Sequence, residues 1–362
     1  MNYFKEKIKY HMPHGVLSLY RKLRYKDIPL SKNIKTRLGC KELENYASFN
    51  YSNGNFLFGF CCPRPGQVNT PKVIFETNDP KQMAQLFKTG RDKLISTLDS
   101  KNHPCHGCNK ISNVSDTALK PLTTIQISLP LSCNMLCFYC HNSIPKRTNA
   151  QIEEKKKLDS FDYISLFKEF EKLGMIDNKT KFNWASGEIT ILKQRHAFFD
   201  FAKTHNVHIF CNGLLFSKDL ADWFSTEHQI GALNVSLDCG TAKTFERMKG
   251  MDKFEDVKNN LIKYGSNRVK EKEYELKYIF CEGYNDNKKD ILGFIEIAKQ
   301  ANVTKVMMDR NFHDIQKPLS EHMKEMCKYF CETASRFGIR NIIRQQFSDK
   351  DIKYFSSYTQ NK

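Results

Sequence analysis

The rhythm of apolar positions changes near Pro121. Beyond it, apolar or β-branched runs recur at Thr124 to Leu129, Lys181 to Trp184, Val207 to Cys211, Leu233 to Leu237, Leu276 to Phe280 and Val303 to Met308. Segments long enough for a helix lie between them, such as Tyr163 to Leu173 and Asp290 to Gln300. Alternation of this kind implies parallel strands joined by right-handed crossovers, and the six units predict an α/β fold, a partial (β/α)6 TIM-like barrel. Chemistry in parallel barrels gathers at strand C-termini, so the residues just after each run are the first candidates for function.

Upstream the pattern is irregular. From about Cys40 to Lys120 the chain has a turn at Ser52-Asn53-Gly54-Asn55, a short apolar strand from Phe56 to Phe60, and Cys61-Cys62-Pro63-Arg64-Pro65-Gly66. A helical stretch near Gln82 to Leu98 then leads to His103-Pro104-Cys105-His106-Gly107-Cys108. This region is expected to form a small, separate cysteine-rich module ahead of the barrel. The first residues place Val16, Leu17, Leu19, Tyr20 and Leu23 among Arg21, Lys22, Arg24 and Lys26, the pattern of a short basic amphipathic helix. The predicted organisation is thus a basic arm over 1–39, a module over 40–120, the barrel over 121–312 and a helical extension over 313–362. In that extension Cys327 and Cys331, four residues apart beside Phe330, read as core packing.

Charge and cysteine content sharpen this picture. No apolar run approaches the roughly 20 residues that span a bilayer, and the basic N-terminal stretch lacks a signal-peptide core, so a cytoplasmic location is expected. Of the formal charge of +17, a surplus of eight falls between Met1 and Cys40, where ten Lys or Arg residues face only Glu6 and Asp27. The arm is either an ordinary docked helix with a solvated cationic face or a contact to an anionic surface, which would make the protein peripheral to a membrane. In a reducing compartment, the 13 cysteines point to metal binding or catalysis rather than to disulfides.

The strongest chemical signal follows the first barrel strand. Cys133-Asn134-Met135-Leu136-Cys137-Phe138-Tyr139-Cys140 sets three thiols three and then two residues apart. Three cysteines on one loop can ligate three irons of a 4Fe-4S cubane and leave the fourth open, whereas a zinc site normally requires four ligands. Further motifs follow in order: Ser186-Gly187-Glu188-Ile189 after the second strand, Phe210-Cys211-Asn212-Gly213 at the end of the third, and Asn234-Val235-Ser236-Leu237-Asp238 with Arg247 and Gly250 at the fourth. The fifth unit ends in Cys281-Glu282-Gly283-Tyr284-Asn285-Asp286.

This ordered set resembles the radical S-adenosylmethionine superfamily from Thr124 to about Met308. The resemblance implies a cluster on Cys133, Cys137 and Cys140 whose open iron is chelated by S-adenosylmethionine (SAM). It also implies reductive cleavage to a 5'-deoxyadenosyl radical that abstracts hydrogen from a substrate. Ser186-Gly187-Glu188 is similar to the family's Gly-Gly-Glu-Pro segment, with Glu188 as the acid that receives the methionine amino group, although Ser186 and Ile189 depart from the pattern. By the same resemblance Asn212 lies near the cofactor, Ser236 and Asp238 are candidates for its ribose or carboxylate, Tyr139 for its adenine, and Asn285 for a contact at its loop start.

A second site is expected in the upstream module. Cys40, one of Cys61 and Cys62, then Cys105 and Cys108 resemble in order the auxiliary module of SPASM and twitch-type enzymes, which usually follows the barrel. They imply a second 4Fe-4S cluster, with zinc as the rival. Substrate identity is not legible. A peptide, or an anionic carbohydrate such as a nucleotide sugar or glycan precursor, is the leading expectation, with flavodoxin or ferredoxin as the kind of electron donor implied. The competing readings are an RNA-modifying radical enzyme, a glycyl-radical activase, to which Cys140-His141-Asn142 is similar, and a non-enzymatic zinc-binding module.

Overall fold

The computed structural model describes residues 37–52, 54–60, 71–106, 108, 110–114, 119–128, 133–140, 148–227 and 230–359. The basic helix expected between Val16 and Lys26 lies outside them, as do Cys61 and Cys62.

The described residues hold twelve strands in chain order: β1 (Arg37–Gly39), β2 (Tyr46–Ser52), β3 (Asn55–Gly59), β4 (Lys72–Phe75), β5 (Ser112–Val114), β6 (Thr124–Ser128), β7 (Lys181–Ser186), β8 (Asn206–Cys211), β9 (Gly231–Ser236), β10 (Lys272–Phe280), β11 (Lys305–Arg310) and β12 (Arg340–Ile343). Ten form one open sheet in the order β12-β11-β10-β9-β8-β7-β6-β2-β3-β4. The six strands anticipated from the apolar runs are β6 to β11, adjacent, parallel and in sequence order. Helices between them begin where a polar side chain caps the first turn: Asp162 accepts from the Ser165 N–H at 2.9 Å, Thr241 from Thr244 and Asn287 from Asp290. The return over the sheet is therefore written into the residues just after each strand.

Two further strands continue the parallel array. β12, in the stretch expected to be only helical, pairs with β11, and β2 pairs with β6. β2, β3 and β4 continue the same sheet beyond β6. The reason is aromatic. Phe49, Phe56 and Phe58 are buried, and Phe58 packs on Phe87 of helix Pro80–Ser96, which in turn stacks on Phe170 of helix Tyr163–Lys172 at 5.1 Å. Fully burying each such ring is worth about 1.5 to 3 kcal/mol, which ties these upstream residues to the core beside the sheet. Among the described residues, β1 and β5 form a two-stranded ribbon outside the sheet. Cys327 and Cys331 are fully buried beside Phe330, as their spacing suggested. No helix among the described residues is long and apolar enough to cross a membrane.

His208 on β8 provides a check on this core. Burial and the nearby Lys181 ammonium depress its pKa to about 4. The unfolded chain therefore binds a proton, as pH falls below about 6.5, that the fold refuses. Acidification from pH 7 to pH 5 is expected to remove about 2 kcal/mol of stability through this residue alone. Urea unfolding at the two pH values measures it, and His208→Gln should flatten the difference.

Candidate functional site

A cavity of about 370 Å³ opens where β6 to β11 end, and all three loop cysteines line it. Cys133, Cys137 and Cys140 are partly exposed, and burial pushes the Cys133 and Cys137 thiols up. The loop is anchored from two sides. Asn212, at the end of β8, donates from Nδ2 to Asn134 Oδ1 at 2.7 Å and lies 3.7 Å from Cys133 Sγ. On the other side, Leu136 and Phe138 N–H groups donate to the Lys249 and Met248 carbonyls, the last of helix Ala242–Lys249. Helix ends leave carbonyls without partners, and here the cysteine loop provides the donors.

Gly250, which ends that helix at φ 72°, could not carry a side chain, since a Cβ there would sit 2.9 Å from Leu136 Cβ. Gly187 is the other glycine the site requires. It turns the chain after β7 at φ 80°. Ser186, where the resembling segment has glycine, is still in the strand opposite Ser128, so this departure leaves the turn intact.

Glu188 is 2% exposed yet lines the cavity. Its Oε2 accepts from Asn212 N–H at 2.7 Å, and its Oε1 accepts from the Thr190 N–H and hydroxyl and from the Cys211 thiol. Four donors hold the carboxylate, but no lysine or arginine ion-pairs with it among the described residues, and burial raises its pKa. A buried anion with hydrogen bonds and no cation is electrostatically incomplete. Its surroundings fit the arrival of an ammonium group, which SAM carries, beside thiols suited to iron. Ser186, Gly187, Asn212, Ser236 and Tyr139 line the same cavity.

Asp238 and Asn285, expected as cofactor contacts, are fully buried behind that lining. Asp238 adopts φ 63°, a conformation Asp tolerates better than most residues. Its carboxylate accepts from Lys249, Tyr139 and the Ile279 N–H. Asn285 clamps the turn after β10, donating to the Asp238 and Ile279 carbonyls and accepting from the Cys281 N–H. Both therefore shape the site rather than face it. Residues missed from the sequence include Lys249, Lys277, Asp309, Arg310 and Gln346, which also line the cavity. Lys249 had a signal: it lies four residues after buried Phe245 and one after buried Met248, on the apolar face of its helix.

Of the second cysteine group, Cys40 is buried and Cys105 and Cys108 are partly buried. Among the described residues, no three His, Cys, Asp or Glu side chains converge as ligands of a single metal ion.

The fold and site define a parallel α/β protein with a three-thiol loop and a buried acid at the strand C-termini. No family model matches the chain. GTP 3',8-cyclase of Haemophilus influenzae is 27% identical over 156 residues, covering 40% of this chain and 43% of that protein. The mitochondrial GTP 3',8-cyclase of Arabidopsis thaliana is 26% identical over 272 residues, 67% of this chain and 66% of that one. The chain therefore spans under half of the bacterial relative. Among solved structures, Streptococcus suis SuiB covers 88% of this chain and 72% of its own at a TM-score of 0.43 and 9% identity. In its cysteine loop and the order of its motifs, the chain is similar to the radical S-adenosylmethionine superfamily, whose members are enzymes.

Proposed function

We propose that this protein binds a 4Fe-4S cluster on Cys133, Cys137 and Cys140, binds SAM beside it, and abstracts hydrogen from a substrate. The observation that carries the reading is the opening into one cavity of three thiols and the Glu188 carboxylate, which has no lysine or arginine partner among the described residues. When bound, the cluster and SAM supply the electron transfer and sulfonium cleavage that yield a 5'-deoxyadenosyl radical. The chain's own residues do the rest: Glu188 receives the methionine ammonium group, Asn212 steadies the first cysteine, and the Ser186–Gly187 turn shapes the wall beside them.

Reconstituted anaerobically and reduced with dithionite, the protein should convert SAM to methionine and 5'-deoxyadenosine. A folded, cluster-loaded sample that forms neither product would sink the proposal.

For the substrate, Lys277 and Arg310 at the ends of β10 and β11 line the cavity against one carboxylate from those strands, Asp309, and this surplus of positive charge supports an anionic molecule over a neutral peptide. A nucleotide or nucleotide sugar fits that chemistry, and the names of the curated relatives point to a nucleoside triphosphate as their substrate. Flavodoxin or ferredoxin is the class of donor proposed for the electron. The proposal extends to a second 4Fe-4S cluster, with zinc as its rival, on Cys40, Cys61 or Cys62, Cys105 and Cys108. The pairing of β1 with β5 supports it by bringing Cys40, which follows Gly39, to the end of the ribbon that Cys108 enters before Ser112.

A further inference from the structure

Behind the cysteine loop lies an ion pair that solvent does not reach. Lys249 is 1% exposed and Asp238 0%. The three protons of the Lys249 ammonium are all engaged, by Asp238 Oδ2 at 2.5 Å, Tyr139 Oη at 2.6 Å and the Ser236 carbonyl at 2.8 Å. Tyr139 donates its own hydroxyl proton to the same Asp238 oxygen at 2.5 Å, and its ring centroid lies 5.2 Å from the ammonium. Asp238 is fixed in turn by the Ile279 N–H on its carboxylate and by Asn285 on its carbonyl. Tyr139 sits between Cys137 and Cys140, so this network grips the half of the loop that carries two of the three thiols.

The pair is not symmetric toward the cavity. Lys249 lines it together with Cys137, whereas Asp238 lies behind. We propose that Lys249 is a positioning residue that, paired with Asp238, seats Tyr139 and the Cys137–Cys140 segment and holds a fixed positive charge beside the cluster, raising its reduction potential. This inference rests on the cluster assignment made above. Reduction adds one negative charge to a cluster, and a buried cation nearby stabilises that state more than the oxidised one, while an anion does the reverse. Burial keeps the effect from being screened by salt.

The test is a redox titration of the anaerobically reconstituted full chain, followed by the electron paramagnetic resonance of the reduced cluster. Lys249→Met keeps the length and removes the cation, so its midpoint potential should fall below that of the unmodified protein. Asp238→Asn leaves the cation and should shift the potential upward. The double variant should return near the starting value. A role confined to packing would lower thermal stability without opposite shifts, so equal, same-direction or absent shifts overturn the inference. Lys249→Met leaves Asp238 buried and unpaired, a costly state. If that variant fails to retain iron, the double variant should recover it, and an iron-free but folded double variant would also overturn the inference. An unmodified protein that takes up no cluster would instead sink the assignment on which this rests.

Discussion

Protein in which Cys133, Cys137 and Cys140 are all replaced by alanine is expected to form no 5'-deoxyadenosine, because cluster irons are held by their own thiolates and this loop holds all three proposed ligands. Replacement should leave the fold standing, since the loop's anchors to helix Ala242–Lys249 are backbone N–H groups that alanine does not alter. The metal content of the same variant bears on the upstream cysteines. A second cubane would leave about four irons and four sulfides per chain, whereas a tetrathiolate zinc site would leave about one zinc and almost no iron. Loss of all metal with circular dichroism unchanged would remove Cys40, Cys61, Cys62, Cys105 and Cys108 from consideration as a metal site. Residual cleavage of SAM at more than background would contradict the placement of the catalytic cluster.

Glu188→Gln is expected to weaken SAM binding by about 1.5 to 3 kcal/mol, roughly ten- to a hundredfold, while cluster loading persists. The structure explains both parts. In the protein without SAM the carboxylate already satisfies four donors, from Thr190, Cys211 and Asn212, so what a ligand ammonium adds is the missing positive charge. Glutamine cannot answer a cation, and its NH₂ group must face one of those donors, at a cost of about 1 to 3 kcal/mol to the empty protein. The pH dependence distinguishes the carboxylate from its neighbours. Burial raises its pKa, so the fold holds this proton more tightly than the unfolded chain does. Glu188 therefore weakens the fold as pH climbs between its ordinary and raised values, and glutamine abolishes that slope. Titration calorimetry against SAM, with thermal melts across that interval, reads both effects. An unchanged dissociation constant would assign Glu188 solely to joining the ends of β7 and β8.

How much of this was legible beforehand varies with the kind of contact. The six parallel strands and the loop cysteines stood out because each depends on neighbours in sequence: an apolar run, a capping side chain, a fixed spacing of thiols. β2 and β12 did not stand out. β12 begins Arg340-Asn341 and is only four residues long, and β2 alternates Ala47, Phe49 and Tyr51 with polar residues, so neither presents an apolar run. Their strand character comes from the neighbours they pair with, β11 and β6.

The site divides along the same line. The thiols of Cys133, Cys137 and Cys140, the acid at Glu188 and the turn at Gly187 are chemistry written in local order, and sequence alone determined them as candidates. What faces the cavity and what lies behind it was decided only in three dimensions. Asp238 and Asn285 carry the same functional groups as cavity residues, yet both are buried: Lys249, eleven residues beyond Asp238 on the next helix, provides the countercharge that holds Asp238, and Asn285 is held by the Asp238 and Ile279 carbonyls. A charged group follows its partner, and the distance between partners in the chain says little about their distance in the fold. Lys249 was therefore readable as a helical lysine on an apolar face, but only the packing of its helix against β9 and the cysteine loop made it part of the site.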